Sequence, residues 1–325
     1  PDTLDLVREA GAEDLLLRSN DAARVRYVYT DALHRLPESP KAFLGTRLLS
    51  WRGKLRTLAE VLVPARREEG DETLKSFGDR RVGPEFTDTF LNAMSAGIYA
   101  AVPETLSVNA AFPAVVALER EHGGLFRGMI AKRRKEAGPG GVLMSFTGGV
   151  ATFIAHLGDQ LGPSLRLATP VTALTREGES YHLETPAGRE TADRVVMATS
   201  AFAAARVLRP LDPHLAMQLE TIEYSPVSVV GFGYRNLDHP LDGFGLLTTA
   251  SARKGILGVL WDSSVFTDRA PPGCKSLRVM IGGQRSPERA LQDEDRLIET
   301  ALQGVRETMG VATPPDVTFV RRWER

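Results

Sequence analysis

The run Lys132-Arg133-Arg134-Lys135-Glu136-Ala137-Gly138-Pro139-Gly140-Gly141 divides the chain into two textures, and the fold class follows from what lies on either side of it. Four consecutive cations complement the negative end of a helix, and the Gly-Pro-Gly-Gly that follows cannot prolong one. A helical segment therefore ends here. Upstream, apolar residues recur at helical spacing in Leu55, Leu58, Val61 and Leu62, and again in Val115, Val116, Leu118, Leu125, Phe126, Met129 and Ile130. Pro64, Gly83-Pro84 and Pro103 punctuate these helices. Arg26 to Thr30 reads as a strand, and Thr3 to Ala10 and Asp14 to Arg18 read as short helical pieces around Gly11.

Downstream the pattern changes to strands. Thr147-Gly148-Gly149 opens a helical stretch from Val150 to Leu161, and three short strand runs separated by Glu177-Gly178-Glu179 and Pro186-Ala187-Gly188 predict a meander. Val195-Val196-Met197-Ala198-Thr199 shows no polar alternation, which predicts a strand buried on both faces of a layered sheet. Further strands are predicted at Val227 to Tyr234, Gly245 to Thr249, Gly255 to Trp261, Ser276 to Ile281 and Val317 to Val320. An amphipathic helix starting at Ser286-Pro287 carries Leu297, Ile298, Ala301, Leu302, Val305 and Met309 on one face and stops at Gly310. The expected class is a mixed α+β and α/β fold.

Composition bounds the function. The 325 residues are 42% hydrophobic and 25% charged with a net charge of -1, which excludes disordered, collagenous and disulfide-scaffold classes. That length predicts two or three units. Cys274 is the only cysteine, so a disulfide framework and a cysteine metal site are excluded and a reducing cytoplasm fits. No apolar run is long enough to span a bilayer. The chain opens on Pro1 and closes on Arg321-Arg322-Trp323-Glu324-Arg325 without cap or turn chemistry, so further structure is expected at both ends. Metal spacings, a G-x-S-x-G elbow, a G-x-x-x-x-G-K loop and the G-x-G-x-x-G dinucleotide fingerprint are all absent from the sequence.

Residues 24 to 67 hold ten Lys or Arg against three acids, a local net charge of +7, interleaved with Phe43, Leu44, Leu48, Leu49 and Trp51. A basic stretch with apolar anchors suits an anionic membrane surface, although a solvated helix face gives the same pattern. Nucleic acid is not expected as a partner, because the chain is near neutral and has no recognition module. Oligomeric state is not readable from the sequence, and a homodimer stays open.

Several segments together resemble the flavin-dependent protoporphyrinogen oxidases, a branch of the amine oxidase-like flavoproteins that includes the bacterial coproporphyrinogen oxidases. They are Arg26-Tyr27-Val28-Tyr29, Gly97-Ile98-Tyr99-Ala100, Leu106-Ser107-Val108, Ala111-Phe112-Pro113, Leu118-Glu119-Arg120-Glu121-His122-Gly123, Asp242-Gly243-Phe244-Gly245, Leu257-Gly258-Val259-Leu260 and Met280-Ile281-Gly282-Gly283. Their order and spacing agree over nearly the whole chain.

The resemblance implies FAD as cofactor, a porphyrinogen as substrate, molecular oxygen as final electron acceptor and peripheral attachment to the inner face of the cell membrane. It also implies a partial FAD-binding Rossmann-like domain, a mixed-sheet substrate domain and an inserted helical membrane-binding domain. The corresponding segments are 1–24 (tail of the FAD and substrate domains), 25–143 (helical, membrane-binding and substrate-gating), 144–205 (FAD-binding, with the meander) and 206–325 (substrate sheet). Arg26 matches the arginine that pairs with a propionate, in a mostly buried site. Gly97, Phe244, Leu247, Leu260 and Met280 match the pocket wall. Val171, Ala198 and Thr199 match residues passing close to the dinucleotide. From spacing alone Gly97, Leu247, Leu260 and Met280 read as core rather than site and Val171, Ala198 and Thr199 read equally as sheet core, so the resemblance is what assigns them, and no side-chain acid or base is required. Protoporphyrinogen IX is the expected substrate, with coproporphyrinogen III the alternative. An amine oxidase, a carotenoid desaturase, or a piece that only binds membranes or a partner, are the other readings.

Overall fold

The computed structural model describes residues 2–66, 70–135 and 142–325, so the Gly138 to Gly141 boundary lies outside the described residues. The backbone forms two compact units, one from residues 1–12 and 151–224 and a larger one from 13–150 and 225–325. The described strands are β1 (Leu16–Arg18), β2 (Tyr27–Tyr29), β3 (Leu33–Arg35), β4 (Met144–Phe146), β5 (Ala173–Glu177), β6 (Ser180–Thr185), β7 (Gly188–Ala192), β8 (Val227–Tyr234), β9 (Gly245–Thr248), β10 (Gly258–Leu260), β11 (Lys275–Gly282) and β12 (Val317–Trp323).

The larger unit is built on a seven-stranded sheet of order β12-β8-β11-β10-β9-β2-β3. All pairs are antiparallel except β2 with β9, which run parallel. Alternation along the strands assigns one face to the core: Val230, Phe232, Tyr234, Leu246, Val259, Leu277, Val279 and Ile281 are buried there. The helix Glu294–Met309 covers that face with Leu297, Ala301 and Val305. Gly304 on this helix admits Ile256, whose Cγ2 would lie 2.7 Å from a Cβ at that position. The predicted start at Ser286-Pro287 is corrected. A separate short helix, Pro287–Ala290, comes first, and the long helix begins where the Asp293 carboxylate accepts the Arg296 amide hydrogen at 2.9 Å.

Between β3 and β4 the same unit is helical, including Trp51–Leu58, Leu74–Arg81, Asn92–Tyr99, Pro113–His122 and Leu125–Lys135. Ser50, Thr73 and Ser107 each cap a helix by accepting the amide hydrogen three residues on, which sets the helix starts. The expected 25–143 segment and the 225–325 part of the 206–325 segment thus lie in one unit, joined through β2 and β9, while 206–224 belong to the smaller unit. Leu16 to Arg18, expected to be helical, form β1 instead, because β4 supplies an antiparallel partner pairing Leu16 with Phe146.

The smaller unit contains the predicted meander, β5-β6-β7, together with the helices Ala201–Leu208 and Pro213–Glu220. The helix predicted from Val150 to Leu161 is present. Its His156 and Gln160 side chains both reach the Ala10 carbonyl, at 2.8 and 2.6 Å. The run Val195 to Thr199 is not a strand: among the described residues none pairs with it, and Val196 is 90% exposed. β-branched composition favours extended backbone, but a strand also needs a neighbouring edge to receive its hydrogen bonds.

Candidate active site

The sheet face turned away from the core carries the site. Leu247, Gly258, Leu260, Arg278 and Met280 alternate with the core residues and point to this side. A cavity of about 590 Å³ lies along it, lined on this face by Phe244, Leu260, Val265, Phe266, Val317 and Phe319 with Ser145, Asp262, Arg269, Ser276 and Arg278. Such a volume suits a small-molecule ligand, and the lining is apolar with a few fixed polar groups. Gly231 leaves room for the Phe319 ring, whose Cε1 would lie 2.0 Å from a Cβ there.

The polar groups are locked by hydrogen bonds. Arg278 donates from Nε to both Asp262 oxygens at 2.9 and 2.8 Å, and from Nη2 at 2.6 Å. The hydrogen bond from Asp262 raises the Arg278 pKa, so the guanidinium stays charged. Arg269 pairs with Asp268, lies over the Phe266 ring at 5.1 Å and donates to Ser145 Oγ at 2.8 Å. This ties the cavity rim to β4.

The residues expected in the site divide into two neighbouring groups. Phe244 and Leu260 line the cavity. The Arg26 guanidinium lies 5.4 Å from the centroid of the Phe244 ring, while the Phe244 amide donates to the Val25 carbonyl at 2.8 Å. Arg26 is exposed rather than mostly buried as expected, so solvent screens its charge more than the sequence reading assumed. Gly97, Leu247 and Met280 form the second group and do not line the cavity. Leu247 and Met280 flank Gly258 on adjacent strands, and a Cβ on Gly97 would lie 2.4 Å from Leu247 Cδ2. Arg285 fixes this group by donating to the Thr248 carbonyl at 2.7 Å and the Asn92 carbonyl at 2.8 Å. Burial pulls its pKa down to about 10.

Sequence reasoning missed Asp262, Arg269 and Arg278. The available signal was Arg278 itself, a lone charge inside an apolar strand run, which alternation places on the face opposite the core.

In the smaller unit, Val171 is half-buried just before β5, and the Thr172 amide donates to the Glu184 carbonyl at 2.8 Å. Ala198 and Thr199 are exposed on the extended segment leading into the helix Ala201–Leu208, which packs on β5. The Ser200 side chain does not cap that helix. The Ala201 amide donates to the Tyr224 hydroxyl at 2.9 Å instead, and the backbone at 194–199 forms no ladder among the described residues, which leaves its polar groups open to a ligand such as a nucleotide.

Comparison with known proteins agrees with this architecture. The family model described as flavin containing amine oxidoreductase matches residues 1–325. The coproporphyrinogen III oxidase of Bacillus subtilis (strain 168) is 27% identical over 341 residues, covering 98% of this chain and 71% of its own length. The protoporphyrinogen oxidase of Homo sapiens is 30% identical over 307 residues, covering 86% of this chain and 63% of its own length. The crystal structure of a protein from Exiguobacterium sp. 255-15 assigned as a protoporphyrinogen oxidase superposes with a TM-score of 0.85 at 24% identity, covering 98% of this chain and 72% of that one. The chain therefore spans roughly two thirds of the length of these relatives.

Proposed function

Since the chain belongs to the flavin containing amine oxidoreductase family, an oxidoreductase family that uses FAD, we propose that it oxidises a porphyrinogen to the porphyrin, with molecular oxygen as final acceptor. The observation that carries this reading is the apolar cavity walled by Phe244, Leu260 and Phe319 with Arg26 stacked on the Phe244 ring. A greasy macrocycle needs such walls, and its propionates need a guanidinium at the edge. The names of the relatives support the same substrate class.

FAD, when bound, supplies the two-electron acceptor that side chains lack. Val171, Ala198 and Thr199 are the residues proposed to hold it. The chain's own contribution is placement: the aromatic walls exclude water, and Arg26 fixes the rotation of the macrocycle through a propionate. Arg269 is balanced by Asp268 and Arg278 by Asp262, so recognition of a carboxylate rests on the free guanidinium donors rather than on a net charge. Peripheral attachment to the inner face of the cell membrane belongs to the same proposal.

The test is steady-state oxidation of porphyrinogens by the full-length, flavin-loaded protein. Arg26→Ala is expected to raise KM about tenfold with a small change in kcat, as loss of one charge-assisted contact implies. An unchanged KM removes Arg26 from the site, and no oxidation of any porphyrinogen by the parent protein rejects the function.

A further inference from the structure

We propose that Arg278, oriented by Asp262, is a second carboxylate anchor that selects a porphyrinogen with propionates on opposite edges, such as coproporphyrinogen III, over one with propionates along a single edge. The inference rests on the functional reading above and deepens it. Three observations carry it.

First, the face is apolar, and Arg278 interrupts it. Its strand neighbours on the same side are Ser276 and Met280, its cross-strand partner on β10 is Leu260, and it lines the cavity with them, Met280 apart. Arg278 is exposed on this face and paired with Asp262, and it takes no part in the core, since the opposite face of β11 is packed with Leu277, Val279 and Ile281. Second, the side chain is aimed. Asp262 engages Nε and one edge of Nη2, which leaves Nη1 without a hydrogen-bond partner among the described residues. A guanidinium has five donors, so this geometry keeps a fork free for a carboxylate while Asp262 fixes its rotamer. Third, the spacing is right. Arg278 pairs with Leu260, Leu260 pairs with Gly245, and Phe244 beside Gly245 bonds to the backbone before Arg26. Three inter-strand steps put the two arginine backbones about 14 Å apart. That separation suits two edges of one macrocycle and is too wide for two adjacent propionates.

The experiment uses the full-length, flavin-loaded protein and measures KM for both porphyrinogens and, by fluorescence quenching, Kd for coproporphyrin III and protoporphyrin IX. Arg278→Leu is expected to weaken the tetrapropionate ligand about tenfold more than the dipropionate one, in both KM and Kd, with kcat for the tetrapropionate substrate little altered. Arg278→Lys should recover part of the loss, since it restores charge without the fork, and Asp262→Asn should give a smaller loss of the same sign. Equal effects of Arg278→Leu on both ligands would overturn the anchor and leave porphyrinogen oxidation standing. So would full retention of tetrapropionate binding. If the parent protein binds and oxidises neither tetrapyrrole, the functional reading falls and the anchor falls with it.

Discussion

Arg81 and Glu60 are both fully buried and form an ion pair inside the helical part of the larger unit. The Glu60 carboxylate also accepts the amide hydrogens of Leu125 and Phe126, at 2.7 and 3.2 Å, while Arg81 Nη1 donates to the Val63 carbonyl at 2.9 Å. Glu60 thus accepts three hydrogen bonds on its roughly four lone-pair sites, and both Arg81 terminal nitrogens are engaged while its Nε is buried without a partner, which makes the pair costly to break from one side. Glu60→Gln should destabilise the protein by about 3 kcal/mol, because it leaves the buried Arg81 cation with Glu119, 3.5 Å away and already shared with Arg80, as its remaining counter-charge. Chemical denaturation would read this as a lowered midpoint at unchanged slope. Replacing both partners by Met should cost less than the single change, since the buried cation is then gone. Around this pair, Glu119 and Glu72 are held by Arg80 at 2.6 and 2.9 Å. Burial, the largest single influence, pushes both carboxyls up, but the hydrogen bonds and charge of Arg80 together with those of Ser76 and Arg66 at Glu72, and of Arg66 and Arg81 at Glu119, leave each below the ordinary glutamate value of 4.5. A depressed folded pKa means that the unfolded chain binds more protons, so stability is full above that value and falls as pH drops through the folded pKa. The melting temperature should therefore decline below about pH 4.5, and Arg80→Met should flatten that decline while lowering the plateau.

At the scale of elements, one end of Glu294–Met309 is legible and the other is not: Gly310 stops it at φ +71° as the sequence predicts, whereas Ser286-Pro287 opens a separate short helix and the long one starts where Asp293 accepts the Arg296 amide hydrogen. Asp293→Ala should cost about 1 kcal/mol, measurable as a shifted denaturation midpoint, because the helix start loses its only side-chain acceptor. Strands were less legible in proportion to how far away their partners lie. The meander β5-β6-β7 is local and was read with its turns, whereas β1 depends on β4 more than 120 residues downstream and was read as helix. The run Val195 to Thr199 shows the converse: its composition is that of a strand, yet none of the described residues offers it an edge. Local pattern reports conformational preference, while pairing is a property of the sheet. The site shows the same split. The apolar residues Phe244, Leu260, Leu247 and Met280 were recognisable by resemblance, but which of them share a cavity depends on register, and so does the exposure of Arg278 beside them.

At the scale of the molecule, a near-neutral chain carries a strongly basic segment at residues 24 to 67, and the structure changes which of its residues face outward. Leu48 and Leu49, expected as membrane anchors, are buried in the core. Lys54 is buried as well, donating to the Leu44 carbonyl at 2.8 Å and lying 4.7 Å from the Trp51 ring centroid. Arg56 is spent on the carbonyls at the end of the helix Leu74–Arg81. What remains outside is Trp51, Leu55, Leu58 and Leu62, with Met129 and Ile130 exposed on the packed neighbouring helix. Lys41, Arg47, Arg52 and Arg127 are exposed cations in the same segments. Among the described residues no helix is long and apolar enough to cross a membrane, so any attachment through this patch is interfacial. Apolar insertion and attraction to anionic lipid then act together, and only the second is screened by salt. Full-length protein should co-sediment with vesicles rich in anionic lipid at low ionic strength and release partly as salt is raised. Trp51→Glu with Leu62→Glu should abolish the salt-resistant fraction, since both side chains are exposed and neither supports the core. Retention of that fraction in the double variant would place the contact elsewhere, and failure of the parent protein to sediment at low salt would end the membrane proposal.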